Sequence, residues 1–201
     1  MTVLLVLAAC LLAAAIVFLR PMRASAHCDT MDGPAAQDGR RALETGNPNH
    51  ALKWVGPEHE DELRQIFALA LAARGQGHEA QEVADRWFLE NLVRIHRAGE
   101  GAPFTGLQPS GTALDARVVA ADRCVDTGSL EPLVGLVPSE QLPELQERLA
   151  AVLARKGFDV NDVEAGRAYV NAYVTFFKLA EGEEHHHHHE QAGHGGSGHG
   201  H

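Results

Sequence analysis

The residues best suited to chemistry lie next to one another, because His27, Cys28 and Asp29 follow directly after Ala26. Imidazole, thiolate and carboxylate groups are ligands for soft and borderline transition metals. If a signal peptidase cleaves after Ala26, the α-amine of His27 becomes a further ligand. Residues 27–29, called the HCD segment below, therefore predict a site for copper, nickel or zinc. The alternative is an ordinary mature N-terminus that happens to carry a histidine and a cysteine.

A second group of potential ligands lies at the C-terminus, where residues 183–201 hold eight of the 13 histidines. Glycine and serine separate them, which predicts a disordered tail that binds zinc, nickel or copper with modest affinity. A purification tag is the alternative, although this run has five histidines and continues for twelve more residues. The eight are His185, His186, His187, His188, His189, His194, His199 and His201.

His96 is a further candidate, near the end of a predicted helix that faces a loop rich in glycine and proline. A histidine at this position can favour the helix C-terminus through the dipole. Alternatively, His96 or Glu90 reaches the HCD segment as an additional metal ligand.

The N-terminal residues predict export. Residues 3–19 are an unbroken apolar run, and Ala24-Ser25-Ala26 provides a small-residue cleavage site. Residues 1–26 are therefore interpreted as a cleaved signal peptide. Arg20 and Arg23 follow the run instead of preceding it, which leaves an uncleaved membrane anchor open. An early Leu7–Cys10 lipoprotein box is a third possibility. All three place the body outside the cytoplasm or on a membrane.

Composition limits the function classes. The formal net charge of −10 argues against a nucleic-acid partner, which needs a basic surface. After cleavage two cysteines remain, Cys28 and Cys124, which form either one disulfide or two separate thiols. We find no phosphate-binding loop, Ser/His/Asp pattern, H-E-x-x-H or CxxC motif, so an enzyme is the less favoured reading. No feature identifies a protein partner.

Helical spacing recurs throughout residues 27–182 and predicts one all-α domain. Leu63, Ile66, Phe67, Ala70 and Leu71, for example, share one helix face. Gly46 is suited to the left-handed position after a helix. The predicted helices cover residues 34–45, 48–55, 58–74, 78–98 and 161–180, with Asn161 and Glu164 as a capping box.

The helices predict an internal duplication. Shifting the sequence by 82 residues aligns 41–75 with 123–157 without a gap, with identity at 11 of 35 positions. Both segments contain the helix-ending Thr-Gly pair, at Thr45-Gly46 and Thr127-Gly128. The prediction is a pseudo-twofold bundle of two repeats, about 31–101 and 114–182.

The stretch HCDTMDGP at 27–34, together with ALETG, LKWV, LVRIHRAGEGAP and TGL further along, resembles an uncharacterised family of exported bacterial proteins. Their mature chains begin HCD-x-x-DGP, and several end in histidine-rich tails. The resemblance extends from His27 to about Glu181. It implies export, an all-helical body and a site that also includes Asp32, but no activity.

The first three residues are also similar to the mature start of nickel superoxide dismutase, H-C-D-x-P-C-G. Asp32 stands at the place of the second cysteine and Met31 at that of the proline. We therefore expect an exported metal-binding protein, acting as a transition-metal chaperone or buffer. The alternatives are a redox metalloenzyme centred on the HCD segment and a non-catalytic helical interaction protein of the cell envelope.

Overall fold

The computed structural model describes residues 27–182. The predicted export segment, residues 1–26, and the predicted tail, residues 183–201 with its eight histidines, lie outside the described residues. Within residues 27–182 there are seven α-helices and no β-strand, which confirms the all-α prediction. The helices are α1 (Pro34–Thr45), α2 (Asn49–Leu52), α3 (Glu60–Arg74), α4 (His78–Gly99), α5 (Ala116–Thr127), α6 (Leu142–Arg155) and α7 (Val163–Glu181). None of these helices has the length and apolar character needed to cross a membrane.

The helix boundaries follow from local residues. Gly46 ends α1 at φ 68°, a left-handed conformation that a residue with a side chain rarely adopts. The prediction that Asn161 caps α7 was wrong by one position. Asp162 caps this helix, and its carboxylate accepts from the Ala165 amide at 2.9 Å. Asn161 instead accepts from the side-chain amide of Asn49 at 3.1 Å, so it joins the first half of the chain to the second.

The core forms where the helix pairs α3–α4 and α6–α7 meet α1 and α5. α1 packs on α4, and α5 packs on α7. Phe88 and Phe176 are fully buried. Two large apolar side chains of α4 are exposed, since 71% of the surface of Val83 and 40% of that of Trp87 remain accessible to solvent. This part of α4 is therefore only partly covered within residues 27–182.

Candidate functional site around the HCD segment

The HCD segment lies in a turn that is fastened to the loop between α4 and α5. The Gln108 amide donates to the Asp29 carbonyl at 2.7 Å, and the Met31 amide donates to the Gln108 carbonyl at 2.9 Å. Asp32 accepts from the Gly111 amide at 2.8 Å, and this N–H lowers the carboxyl pKa. The Gly/Pro-rich loop therefore anchors the segment, and Asp32 is exposed and directed at the loop.

A glycine makes the tight turn possible. The Thr30 hydroxyl donates to the His27 carbonyl at 3.1 Å, and the Gly33 amide donates to the Thr30 carbonyl at 3.0 Å. A Cβ atom on Gly33 would stand 2.0 Å from the His27 carbonyl oxygen. Only a residue without a side chain fits there, so Gly33 fixes the path of the chain from the HCD segment into α1.

His27 is held by one of its two ring nitrogens. Its Nε2 lies 2.8 Å from Asp122 Oδ2 and 3.2 Å from the Tyr173 hydroxyl. Tyr173 in turn donates to Asp122 Oδ1 at 2.9 Å, and burial raises its pKa well above the ordinary value. The imidazole stacks on Phe177 with centroids 5.5 Å apart. Because the partners of Nε2 are acceptors, they favour a proton there and a lone pair on Nδ1.

Cys28 presents a buried, free thiol. Burial, reinforced by the negative charges of Glu100 and Asp29, raises its pKa far above the ordinary thiol value. The thiol therefore stays protonated at neutral pH and is a poor nucleophile. Cys124 is also buried and free, so the disulfide alternative is not formed in this structure. A cavity of about 30 Å³ adjoins His27 and Cys28, large enough for a water molecule or a metal ion but too small for an organic ligand.

Asp29 belongs to a buried network of charges. Its Oδ1 lies 3.6 Å from Arg97 Nε, and Arg97 Nη1 donates to Glu100 at 3.0 Å. Lys178 approaches Glu100 from α7 at 3.2 Å. Arg97 thus contacts both carboxylates, and Lys178 contacts Glu100. The network joins the HCD segment, the end of α4 and α7. Burial dominates at Asp29 and raises its pKa from 3.8 to about 6, although Arg97 opposes this shift.

The raised pKa of Asp29 predicts a pH dependence of stability. Between pH 4 and pH 6 the folded protein binds more protons at this carboxyl than the unfolded chain does. The contribution of Asp29 to the free energy of unfolding therefore falls as pH rises. We expect the free energy of unfolding of the wild type, relative to Asp29→Asn, to decrease over that interval. Urea denaturation at pH 4, 5, 6 and 7 measures it. A difference that does not vary with pH would contradict the assignment.

His96 is buried on α4, beside this network of charges. Its Nδ1 is 2.9 Å from the Trp54 carbonyl oxygen, and its Nε2 is 3.7 Å from Glu100. Burial lowers its pKa, which favours the neutral imidazole over the charged one. His96 connects to the HCD segment through Glu100 and Arg97. Glu90 pairs with Arg86 at 3.0 Å on the surface.

Sequence reasoning missed Asp122, Glu100 and Lys178. By sequence, Asp122 and Lys178 are ordinary polar residues of helices, and Glu100 is an ordinary polar residue directly after the end of α4. Tyr173, on α7, was not identified as a site residue either, although its hydroxyl completes the contacts of His27. Across residues 27–182 no group of three or more His, Cys, Asp or Glu side chains is arranged to hold a metal ion. A site here would therefore need ligands in addition to such side chains, for example an α-amine or a backbone amide.

Fold and site together define an all-α protein that docks a His-Cys-Asp turn against its helices. The chain belongs to a family of unknown function (DUF6448), whose model matches residues 32–179. Comparison with curated proteins and with solved structures found no significant match.

Proposed function

We propose that this is an exported metal-binding protein, a chaperone or buffer for copper, nickel or zinc. In the mature chain, cleaved after Ala26, the HCD segment would hold one metal ion. The histidine-rich residues 183–201 would supply a reservoir of lower affinity, since closely spaced neutral imidazoles bind such metals.

One observation carries the proposal. His27 Nδ1 is buried and has no hydrogen-bond partner among residues 27–182, while Nε2 is held by Asp122. An N-terminal histidine chelates a metal through its α-amine and Nδ1, because these two atoms close a small ring that Nε2 cannot close. The nitrogen left without a partner is thus the one that chelation needs. A carboxylate on the opposite ring nitrogen is the usual support of a metal-bound histidine.

The Cys28 thiol supports the same reading. A metal ion binds thiolate, so it would displace the proton that burial keeps on this sulfur. Thiolate sulfur favours copper(I) and zinc, whereas imidazole and amine nitrogen suit zinc, copper and nickel alike. The cavity beside His27 and Cys28 has the size of an ion. Asp32 contributes to the turn and not to this cavity, since its carboxylate binds the Gly111 amide.

We also infer that the helical body arose by internal duplication. α5 begins 82 residues after α1, at Ala116 after Pro34, and both helices span 12 residues. Two cross-helix hydrogen bonds repeat with the same offset. Arg74 Nη1 donates to the Leu43 carbonyl at 2.6 Å, and Lys156 Nζ donates to the Val125 carbonyl at 2.9 Å. Equivalent contacts at a fixed offset are what two copies of one unit would retain.

The metal site is tested on mature protein that begins at His27. The protein is loaded with copper, nickel or zinc, the tail is clipped after residue 182, and native mass spectrometry counts the retained ions. We expect one ion, lost in His27→Ala and Cys28→Ser. Asp122→Asn should weaken binding about 10–100-fold, because it removes the carboxylate that orients the imidazole.

Two controls sharpen this test. Asp126→Asn changes an exposed carboxylate one turn further along α5 and should leave affinity unchanged. A chain that keeps Ala24-Ser25-Ala26 before His27 moves the α-amine out of reach and should not retain the ion. If the metal ion is retained both in His27→Ala and in this extended chain, the HCD segment is ruled out as the site.

A further inference from the structure

A second, larger cavity of about 330 Å³ lies between the first part of the chain and the loop that precedes α7. Asp38 and Arg41 of α1 and Lys53 beyond α2 line one side. Lys156 and Phe158 line the other. Its volume falls in the range of sites for small organic molecules, unlike that of the cavity at Cys28.

The lining carries an excess of positive charge. Among the residues of 27–182 that line it, Asp38 is the only carboxylate, and it is already engaged by Lys53 at 2.9 Å and by the indole N–H of Trp54 at 2.8 Å. Lys156 donates to a backbone carbonyl and lies 3.9 Å from the exposed Asp126, so its charge is only loosely compensated. Arg41 is exposed at the rim. In a protein of net charge −10, such a concave positive surface selects anions locally.

Aromatic rings form the rest of the wall. Phe158 and Tyr169 lie with centroids 5.5 Å apart, and Tyr169 and Tyr173 lie 6.1 Å apart. Trp54 meets Tyr173 edge to face at 6.2 Å. Neighbouring ring faces favour a flat, apolar ligand body. His50 adds a neutral polar group, because burial lowers its pKa.

We propose that this cavity binds a small planar aromatic carboxylate. The carboxylate faces Arg41 and Lys156, and the ring lies against Tyr169 and Phe158. Arginine suits this role because its guanidinium pairs with a carboxylate through two parallel hydrogen bonds. The site is separate from the proposed metal site, but the two share Tyr173 as a common wall.

Benzoate binding to the full-length protein tests the proposal, with fluorescence of Trp54 as the readout. The chain has two tryptophans, so all measurements use a Trp87→Phe background, in which the exposed Trp87 no longer contributes to the fluorescence. We expect a saturable fluorescence change that Arg41→Gln weakens about tenfold, through loss of a charged hydrogen bond. The matched control is Arg123→Gln, 82 residues further along. Arg123 is likewise exposed and its carbonyl also accepts a threonine hydroxyl, but it does not line the cavity.

Saturable binding that Arg41→Gln weakens and Arg123→Gln leaves unchanged supports the site. An unsaturable response, or equal effects of the two substitutions, overturns it. Inorganic phosphate, added as a competitor, distinguishes binding through the positive charges from binding through the aromatic wall, because phosphate is an anion without a ring. Displacement of benzoate by an equal concentration of phosphate would mean that the aromatic wall contributes nothing, and would overturn the assignment of a planar ligand.

Discussion

Replacing Arg97 by methionine should lower the free energy of unfolding by about 3–5 kcal/mol at pH 7, because removing one partner of a buried ion pair leaves the other uncompensated. Arg97, Asp29 and Glu100 all lie in the interior, with 5%, 11% and 14% of their side chains exposed. Lys178 still pairs with Glu100 in the variant, but no other ion pair to Asp29 occurs within residues 27–182. Urea denaturation measures the loss.

Arg94→Met is the matched control, three residues earlier on α4. Arg94 pairs with Glu62 at 2.6 Å, but both side chains are 45% exposed, so the loss should stay below about 1 kcal/mol. The Arg97→Met deficit should also shrink as pH falls from 7 towards 4, since Asp29 then becomes protonated and needs no cation. Equal losses in the two variants would show that Arg97 does not compensate a buried charge.

Replacing Gly33 by alanine should dislodge the HCD segment and cost about 3 kcal/mol, the upper range for overpacking a well-packed position. The new Cβ would meet the His27 carbonyl oxygen at 2.0 Å, and a backbone atom cannot rotate away as a side chain can. The φ of Gly33 is −72°, which alanine adopts freely, so the predicted loss comes from this contact and not from backbone strain. Urea denaturation and hydrogen exchange of amides 27–33 measure the effect.

Gly99→Ala is its control, at the last residue of α4. A Cβ there meets nothing within 4 Å, so alanine should be neutral or raise stability by up to about 1 kcal/mol through its helix propensity. We expect amides 27–33 to exchange faster in Gly33→Ala but not in Gly99→Ala. Gly33→Ala should also bind metal more weakly at the proposed site. Wild-type stability and exchange in Gly33→Ala would contradict the role of the turn.

Helices were predictable because their determinants are local. The apolar spacing of Leu63, Ile66, Phe67 and Ala70 repeats with the helical period, and all four are buried. Gly46 and Gly128 end their helices in the left-handed conformation that the Thr-Gly pairs predicted. Boundaries near turns were less certain. α2 ends at Leu52, three residues early, with Trp54 buried in the core and its carbonyl opposite His96.

The candidate site was only half predictable. Residue types alone marked His27, Cys28 and Asp29 as potential ligands, because their chemistry is intrinsic and they are consecutive. The sequence could not show that Asp29 faces Arg97 or that Asp32 binds the Gly111 amide. These contacts depend on how the loop between α4 and α5 folds back, and its irregular backbone has no periodic signature.

By itself, then, the amino-acid sequence determined the helices, the all-α class and the position of a ligand-rich turn. Only the tertiary structure decided that His27 Nε2 meets Asp122 and Tyr173, the latter 146 residues away, and that Nδ1 remains without a partner. Only packing formed the two cavities, one the size of an ion and one the size of a small organic anion. The physical reason is that spacing along a chain specifies which face of a helix is apolar, whereas contacts between distant helices depend on how those faces pack together.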